Sequence, residues 1–327
     1  MSDVARLAGV SRTTVSFVLN DVGNGISAET KEKVRACARE LGYRPNAAAK
    51  LLRANRSHTI GFVTDEIAST PFAVNIIRGA QEAAWKAGKI LTIVNTGRNR
   101  EIGESAIEMM LERRVEGIIY AAMYHQAVEP PTDARDVPLV LLDCYSEDGS
   151  WTSVVPDEVA GGYTATEVLI GKGHQRIGFV NLPLRIPAGR GRLVGYRKAL
   201  GDHGLVFDDS LVKFCDHTAE GYRYGAELAD RADRPTAIFC GTDRIAMAVY
   251  DALKERGLRI PEDVAIVGFD NQEIIAAHLR PPLSTVALPH YEMGQWAVEY
   301  LIAESESGET EPVHHTIGCP YVEREST

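Results

Sequence analysis

DVARLAGVSRTTVSFVLN, residues 3–20, is patterned as two short helices joined by one tight turn. Val4, Ala5, Leu7 and Ala8 recur at helical spacing, and Gly9 stands where a left-handed C-cap residue is wanted. Ser11 then occupies an N-cap position, its hydroxyl within reach of the amides of residues 12–14. Beyond it Val15, Val18 and Leu19 form one apolar face, leaving Arg12, Thr13, Thr14 and Ser16 to point elsewhere. A third helix is expected from the cap residue Ser27 to about Leu41, closed by Gly42, with Val34, Ala38 and Leu41 completing a small core. A second helix that presents small polar side chains at its start is what entry into the major groove of DNA requires.

Working outward, the 327-residue chain is 45% hydrophobic, long enough for two or three domains with sizeable cores. No apolar run reaches transmembrane length, and the N-terminus reads as a charged helix and not as a signal peptide. The five cysteines (Cys37, Cys144, Cys215, Cys240, Cys319) are dispersed without metal-ligand spacing. They read as reduced thiols of a cytoplasmic protein, located on the nucleoid when DNA-bound, and no metal or cofactor is expected. The net charge of −10 is unevenly placed. Residues 1–57 carry ten Lys/Arg against five Asp/Glu, a charge of +5, so the remainder carries −15. A basic head on an acidic body fits a localised phosphate-binding face.

From Thr59 onward short apolar runs alternate with amphipathic helices. The runs are 59–64, 90–95, 117–123, 139–144, 176–181, 237–242 and 264–270. The helices are expected near 72–87, 103–113, 159–172, 189–203, 219–230, 243–256 and 290–304. Continuous hydrophobic strands separated by helices imply parallel, doubly wound sheets. The fold expected is an all-α helix-turn-helix head plus an α/β body of two such lobes facing each other across a cleft. Polar residues fall at strand C-termini, where open α/β sheets bind ligands: Asp65, Asp143, Thr242, Asp243 and Asp270. Several carboxylates suit a polyhydroxylated ligand. Asp243 reads equally as a helix N-cap.

The succession SRTTVSFVLN, ISAETKEKVRACARELGYRPNAAAKLLR and then HTIGFV resembles the LacI/GalR family of bacterial transcriptional regulators, over essentially the whole chain. The resemblance implies a helix-turn-helix domain over 1–45, a hinge helix over 46–57, and a body of periplasmic-binding-protein type over 58–327. Lobe one takes about 58–156 and 288–317, lobe two about 157–287 and 318–327. It also implies hinge helices in the minor groove with Leu52 wedging a base step and Ala49 allowing close packing; the other reading is that Leu51 and Leu52 dock the linker on the body. Arg44, Lys50 and Arg53 are expected on phosphates, with Asn46 also facing DNA.

In the recognition helix Arg12, Thr13 and Ser16 are expected at base edges and Thr14 on phosphate, while Asn20 either caps the helix or meets the backbone. Phe17 departs from the family's usual arginine; it either touches a thymine methyl or folds onto the head's own core. The family's several residues before Asp-Val-Ala are also missing, so Ser2 must cap the first helix or the start codon lies upstream. In the cleft, Arg192 in GRLVGYRKAL matches the family's ligand arginine. Phe72 and His217 fall where ligand contacts are expected, although His217 also reads as a surface residue. The stretch TDEIASTPF and the apolar Ala287–Leu288 depart from the family pattern, which leaves the ligand's identity open.

The expected function is a ligand-responsive DNA-binding regulator: a repressor of carbohydrate uptake or catabolism genes, and a homodimer on a palindromic double-stranded operator. Its effector would be a sugar or sugar phosphate. The alternatives are a nucleoside or purine ligand, a protein partner, or a free solute-binding protein. An enzyme is not expected. GKGHQRIG (171–178) precedes a strand and so fails the dinucleotide fingerprint, and neither a Walker loop nor a nucleophile elbow occurs.

Overall fold

The computed structural model describes residues 1–20, 25–43, 57–71, 73–130, 134, 137–307 and 311–327. The chain divides into two compact units, Met1–Ser57 and His58–Thr327.

The first unit is three helices: α1 (Ser2–Ala8), α2 (Arg12–Leu19) and α3 (Ala28–Glu40). Local signals set their ends. Gly9 takes φ 67°, a left-handed conformation that costs glycine nothing, and its amide closes onto α1 carbonyls. Ser11 Oγ accepts from the Thr14 amide at 3.0 Å, and Ser27 Oγ accepts from the Thr30 amide at 3.2 Å. Val4, Ala5, Ala8, Val15, Val18, Val34, Cys37 and Ala38 form the core. Three expectations need correction. Ser2 lies inside α1, whose N-cap is Met1 without a side-chain cap bond. Leu7 is exposed on α1, and Leu41, the C-cap just past α3, is exposed as well, with Cys37 in the core instead.

The second unit contains two six-stranded sheets. Lobe one holds β1 (Thr59–Thr64), α4 (Val74–Lys86), β2 (Ile90–Asn95), α5 (Arg100–Glu112), β3 (Ile118–Ala127), β4 (Leu139–Tyr145) and β5 (Thr152–Pro156). Lobe two then runs α6 (Glu158–Gly171), β6 (Ile177–Asn181), α7 (Pro187–Asp202), β7 (Val212–Phe214), α8 (Thr218–Ala229), β8 (Ala237–Cys240), α9 (Asp243–Glu255), β9 (Ala265–Asp270), α10 (Glu273–Ala276) and β10 (Ser284–Ala287). The chain returns to lobe one with α11 (His290–Ser307) and β11 (His314–Ile317), and ends in lobe two with β12 (Tyr321–Val322). Strand orders are β11-β5-β4-β3-β1-β2 and β12-β10-β9-β8-β6-β7. The pairings are parallel except β10 with β12. Three connections therefore cross between lobes, after Pro156, Ala287 and Ile317.

Each sheet is covered on both faces, as parallel sheets require. In lobe one, α4 and α11 bury Ile76, Ala80, Met293 and Val298 on one face, and α5 buries Ile107 and Met110 on the other. In lobe two, Phe179 stacks on Phe239 at 4.3 Å on one face, while Val249, Tyr250 and Leu253 of α9 cover the opposite face. Helix pairs approach closely at glycines. A Cβ on Gly195 of α7 would stand 2.1 Å from the Val159 carbonyl oxygen of α6, and one on Gly79 of α4 would stand 2.0 Å from that of Tyr291. Neither position admits a larger side chain without the helices separating.

Candidate functional site

In the head, α2 exposes Arg12, Thr13 and Phe17. Thr13 and Phe17 lie one turn apart on one face, and Phe17 is 47% exposed, so it does not fold into the head's core. Thr14 is half-buried, its hydroxyl 2.9 Å from Ser11 Oγ. Ser16 is buried at the edge of the core, 3.5 Å from Asn20 Nδ2, and so offers little surface to a base edge. Asn20 caps the helix, its Nδ2 donating to the Ser16 carbonyl at 2.7 Å. Arg44, Asn46, Ala49, Lys50, Leu52 and Arg53 lie outside the described residues, as does Phe72 of the body.

Between the two lobes of the body lies a cavity of about 450 Å³. Of the residues expected there, Asp143, Arg192, His217, Thr242 and Asp270 line it, and Asp65 and Asp243 do not. Asp65 turns back onto its own lobe, where Oδ1 accepts from the Glu66 amide at 2.6 Å and the Met123 amide at 3.0 Å, tying β1 to β3. Burial raises its pKa. Asp243 is fully buried beneath α9. Its Oδ2 accepts from the Gln272 amide and its Oδ1 from Thr285 Oγ1, both at 2.6 Å, so it braces the β9–α10 turn. Thr242 is the N-cap, accepting from the Ile245 amide at 3.1 Å. Asp65 and Asp243 are thus held within their own lobes by these bonds and stand off the cavity wall.

Lobe two's wall is organised around Arg192, which is 2% exposed. Its Nε donates to Glu158 Oε2 at 2.7 Å, its Nη1 donates to the Gly241 carbonyl, and Asp270 Oδ1 stands 3.7 Å away. The guanidinium lies 3.6 Å from the centroid of the Phe269 ring. Burial works against the charge, but Glu158 and then Asp270 outweigh it and hold the pKa above its ordinary value. Asp270 accepts from Gln272 Nε2 at 3.0 Å; burial raises its pKa against the opposing pull of Arg192.

Lobe one's wall is different. Asp143, at the end of β4, is 3% exposed, and its Oδ1 has no hydrogen-bond partner among the described residues. Burial lifts its pKa well above the ordinary carboxylate range, and Glu158 adds to the shift. His125 on β3 likewise buries Nδ1 without a hydrogen bond, 3.9 Å from Glu158 Oε1, and burial lowers its pKa. Asp143 and Asp270 both hold positive φ, 54° and 108°, conformations in which non-glycine residues are strained and which concentrate at functional sites.

Several cleft residues escaped sequence reasoning. His125 faces the cleft because β3 continues past a register shift between Ala121 and Gln126, beyond the apolar run that marked the strand. Glu158 was hidden by distance, since its partner Arg192 is 34 positions away, although its place in the first turn of α6 was a signal. Arg98, Arg185 and Arg244 gave no signal apart from lying near strand ends. Among the described residues no group of three His, Cys, Asp or Glu side chains is placed to hold a metal ion. No helix among them is long and apolar enough to cross a membrane.

Residues 1–46 match the family described as bacterial regulatory proteins, lacI family, and residues 166–327 match a periplasmic binding protein-like domain. The chain is 34% identical over 307 residues to the ribose operon repressor of Escherichia coli strain K12, covering 92% of each protein. It is 33% identical over 332 residues to the HTH-type transcriptional repressor PurR of Shigella sonnei, covering 100% of this chain and 96% of that one. Among solved structures it is similar to the Lac repressor dimer bound to operator and the anti-inducer ONPF, with TM-score 0.80, 27% identity and coverage of 99% and 97%. It is also similar to a complex of the transcriptional regulator CelR with cellobiose, with TM-score 0.69, 31% identity and coverage of 99% and 98%.

Proposed function

The chain belongs to the LacI family of bacterial regulatory proteins, and on that premise we propose that it is a ligand-responsive repressor whose cleft binds a sugar-like effector. The observation that carries the choice of ligand is the pair of buried, unpartnered atoms, Asp143 Oδ1 and His125 Nδ1, facing a braced Arg192 across a cavity of about 450 Å³. A buried polar atom without a partner costs roughly 1–3 kcal/mol. Vicinal hydroxyls would satisfy both atoms and accept from or donate to the network around Arg192. The volume lies in the lower part of the range for small-molecule sites.

The head reads a half-site with Arg12, Thr13 and Phe17 of α2. Two copies related by two-fold symmetry match a palindromic double-stranded operator. Support for a homodimer comes from lobe one. Its edge strand β2 exposes Ile90 and Ile93, and the neighbouring helices expose Val74 and Trp85 on α4 and Ile102 and Met109 on α5. The hinge, with Leu52 as its wedge, couples head to body, and the effector acts by its differential affinity for two arrangements of the lobes. A regulator of carbohydrate genes in the cytoplasm is the setting this reading implies, and the cleft serves binding without chemistry.

A thermal-shift screen of neutral sugars, sugar phosphates and nucleosides tests the reading. A saturating effector raises unfolding free energy by about 3–4 kcal/mol when present at hundreds to a thousand times its dissociation constant. Stabilisation by purines or nucleosides alone would replace the sugar-like effector with the purine alternative.

A further inference from the structure

We propose that the cleft selects an anionic effector: a monosaccharide-sized polyol bearing a phosphate or carboxylate, with the anionic group held at Arg244 and the hydroxyls turned toward Asp143 and Asp270. The inference rests on the sugar-like reading above and narrows it.

Four arginines line the cavity, and three have carboxylate partners. Arg98 pairs with Glu66 at 3.0 Å, Arg185 with Asp216 at 2.5 Å and Arg192 with Glu158 at 2.7 Å. Arg244 stands apart. Among the described residues it makes no ion pair, and its only hydrogen bond is a long one, 3.4 Å from Nε to Gln272 Oε1. Its fork of remaining N–H donors is therefore free for the bidentate recognition of a phosphate or carboxylate.

The surroundings favour negative charge. The N-terminal ends of α7, α8 and α9 reach the cavity wall at Ala188, His217 and Thr242, and each presents the positive end of a helix dipole. No side chain caps the first turn of α7, whose first residue, Pro187, carries no N–H of its own. Asp270, on the same lobe, lies near enough to feel the charge of Arg244, but burial raises its pKa, and Asp143 opposite, with an unpartnered oxygen, is favoured in its neutral form by burial, so neither carboxyl fully offsets Arg244. Asp143 is 3% exposed and lies on the opposite lobe. It would meet the uncharged part of a ligand whose anionic group sat at α9. The same molecule would thereby satisfy an orphaned hydroxyl acceptor on one lobe and an unpaired guanidinium on the other.

Calorimetric titration of the full chain tests this with matched pairs: glucose against glucose 6-phosphate and gluconate, and ribose against ribose 5-phosphate, with adenosine and hypoxanthine as further arms. At least one anionic compound should bind about tenfold or more tightly than its neutral parent, and the preference should shrink as salt is raised. Arg244→Gln, on the exposed side of α9, should abolish the preference, and Arg244→Lys should retain part of it. A neutral parent that binds as tightly as its anionic form, or a preference that survives in Arg244→Gln, overturns the anionic assignment and leaves the sugar-like reading intact. Binding of adenosine or hypoxanthine alone, or of none of the compounds, overturns both.

Discussion

The two walls of the cleft are built on opposite principles. Around Arg192 lobe two's wall is satisfied: Arg192 is held by Glu158, the Gly241 carbonyl and the Phe269 ring, and Asp243 fixes the loop that carries Asp270 and Gln272, while Arg244 at its rim keeps free donors among the described residues. Lobe one's wall is unsatisfied, with Asp143 Oδ1 and His125 Nδ1 buried and unpartnered. A preorganised wall loses little entropy when ligand arrives, whereas an unsatisfied wall gains a hydrogen bond for each atom the ligand reaches. Under the proposed function this difference would give a ligand its leverage: it would meet a surface that need not move and offer hydrogen bonds that draw the other lobe in.

The edges differ as well. Lobe one ends in β2, six residues long, paired on one side and exposing Ile90 and Ile93; the matching edge of lobe two, β7, spans three residues. A long apolar edge is a liability unless it is covered, and a second copy of the chain would cover it.

The strongest way to break the contrast is Arg192→Ala. It strands Glu158 as an uncompensated buried carboxyl, and denaturant titration should show a loss of about 3–5 kcal/mol together with loss of the effector response. Adding Glu158→Gln should recover much of the stability and none of the response. A singly substituted protein of unchanged stability would show that lobe two's wall is not braced as described.

Next in size is the outer edge. Trp85 is 76% exposed on α4, and Trp85→Glu combined with Ile93→Glu should weaken dimerisation by about a hundredfold in sedimentation experiments, because two buried anchors would be replaced by charges. An unaltered dimer would move the interface elsewhere.

Asp143→Asn probes the unsatisfied wall with a smaller effect. The folded protein favours the protonated Asp143, so it binds more protons than the unfolded chain and loses stability as pH rises above the ordinary carboxylate range. The amide does not ionise. Asp143→Asn should therefore stabilise the ligand-free protein more at pH 8 than at pH 4. Melting curves that shift equally at both pH values would contradict the assignment.

Much of this architecture was readable from local rules, and the failures share a cause. Ser11, Ser27 and Gly9 marked their helix ends because capping involves residues three or four apart. The strands 59–64, 139–144 and 264–270 were visible because burial on both faces leaves a continuous apolar run. β5, β7, β10, β11 and β12 were not recognised from the pattern: they are two to five residues long and mix polar with apolar residues, so no long apolar run forms. In the cleft, strand-end logic found Asp143, Thr242 and Asp270 but could not tell a side chain facing the cavity from one turned inward. Asp65 and Asp243 are turned inward by backbone amides and a threonine brought close only by folding. Glu158 and His125 were missed for the same reason, as partnership across 34 residues and a register shift in β3 leave no local trace. Ser16 and Leu41 show the limit at its smallest scale, where one helical step decides between core and surface.

The central claim is that occupancy of this cleft controls DNA binding by the head. Fluorescence anisotropy of a labelled palindromic operator, taken from upstream of a neighbouring gene and titrated with the full chain, tests it directly. With and without a ligand shown by calorimetry to occupy the cleft, operator affinity should differ by about fivefold or more, as coupling of 1–3 kcal/mol requires, and the difference should vanish in Arg192→Ala. Equal affinities with the cleft empty and saturated would contradict the account.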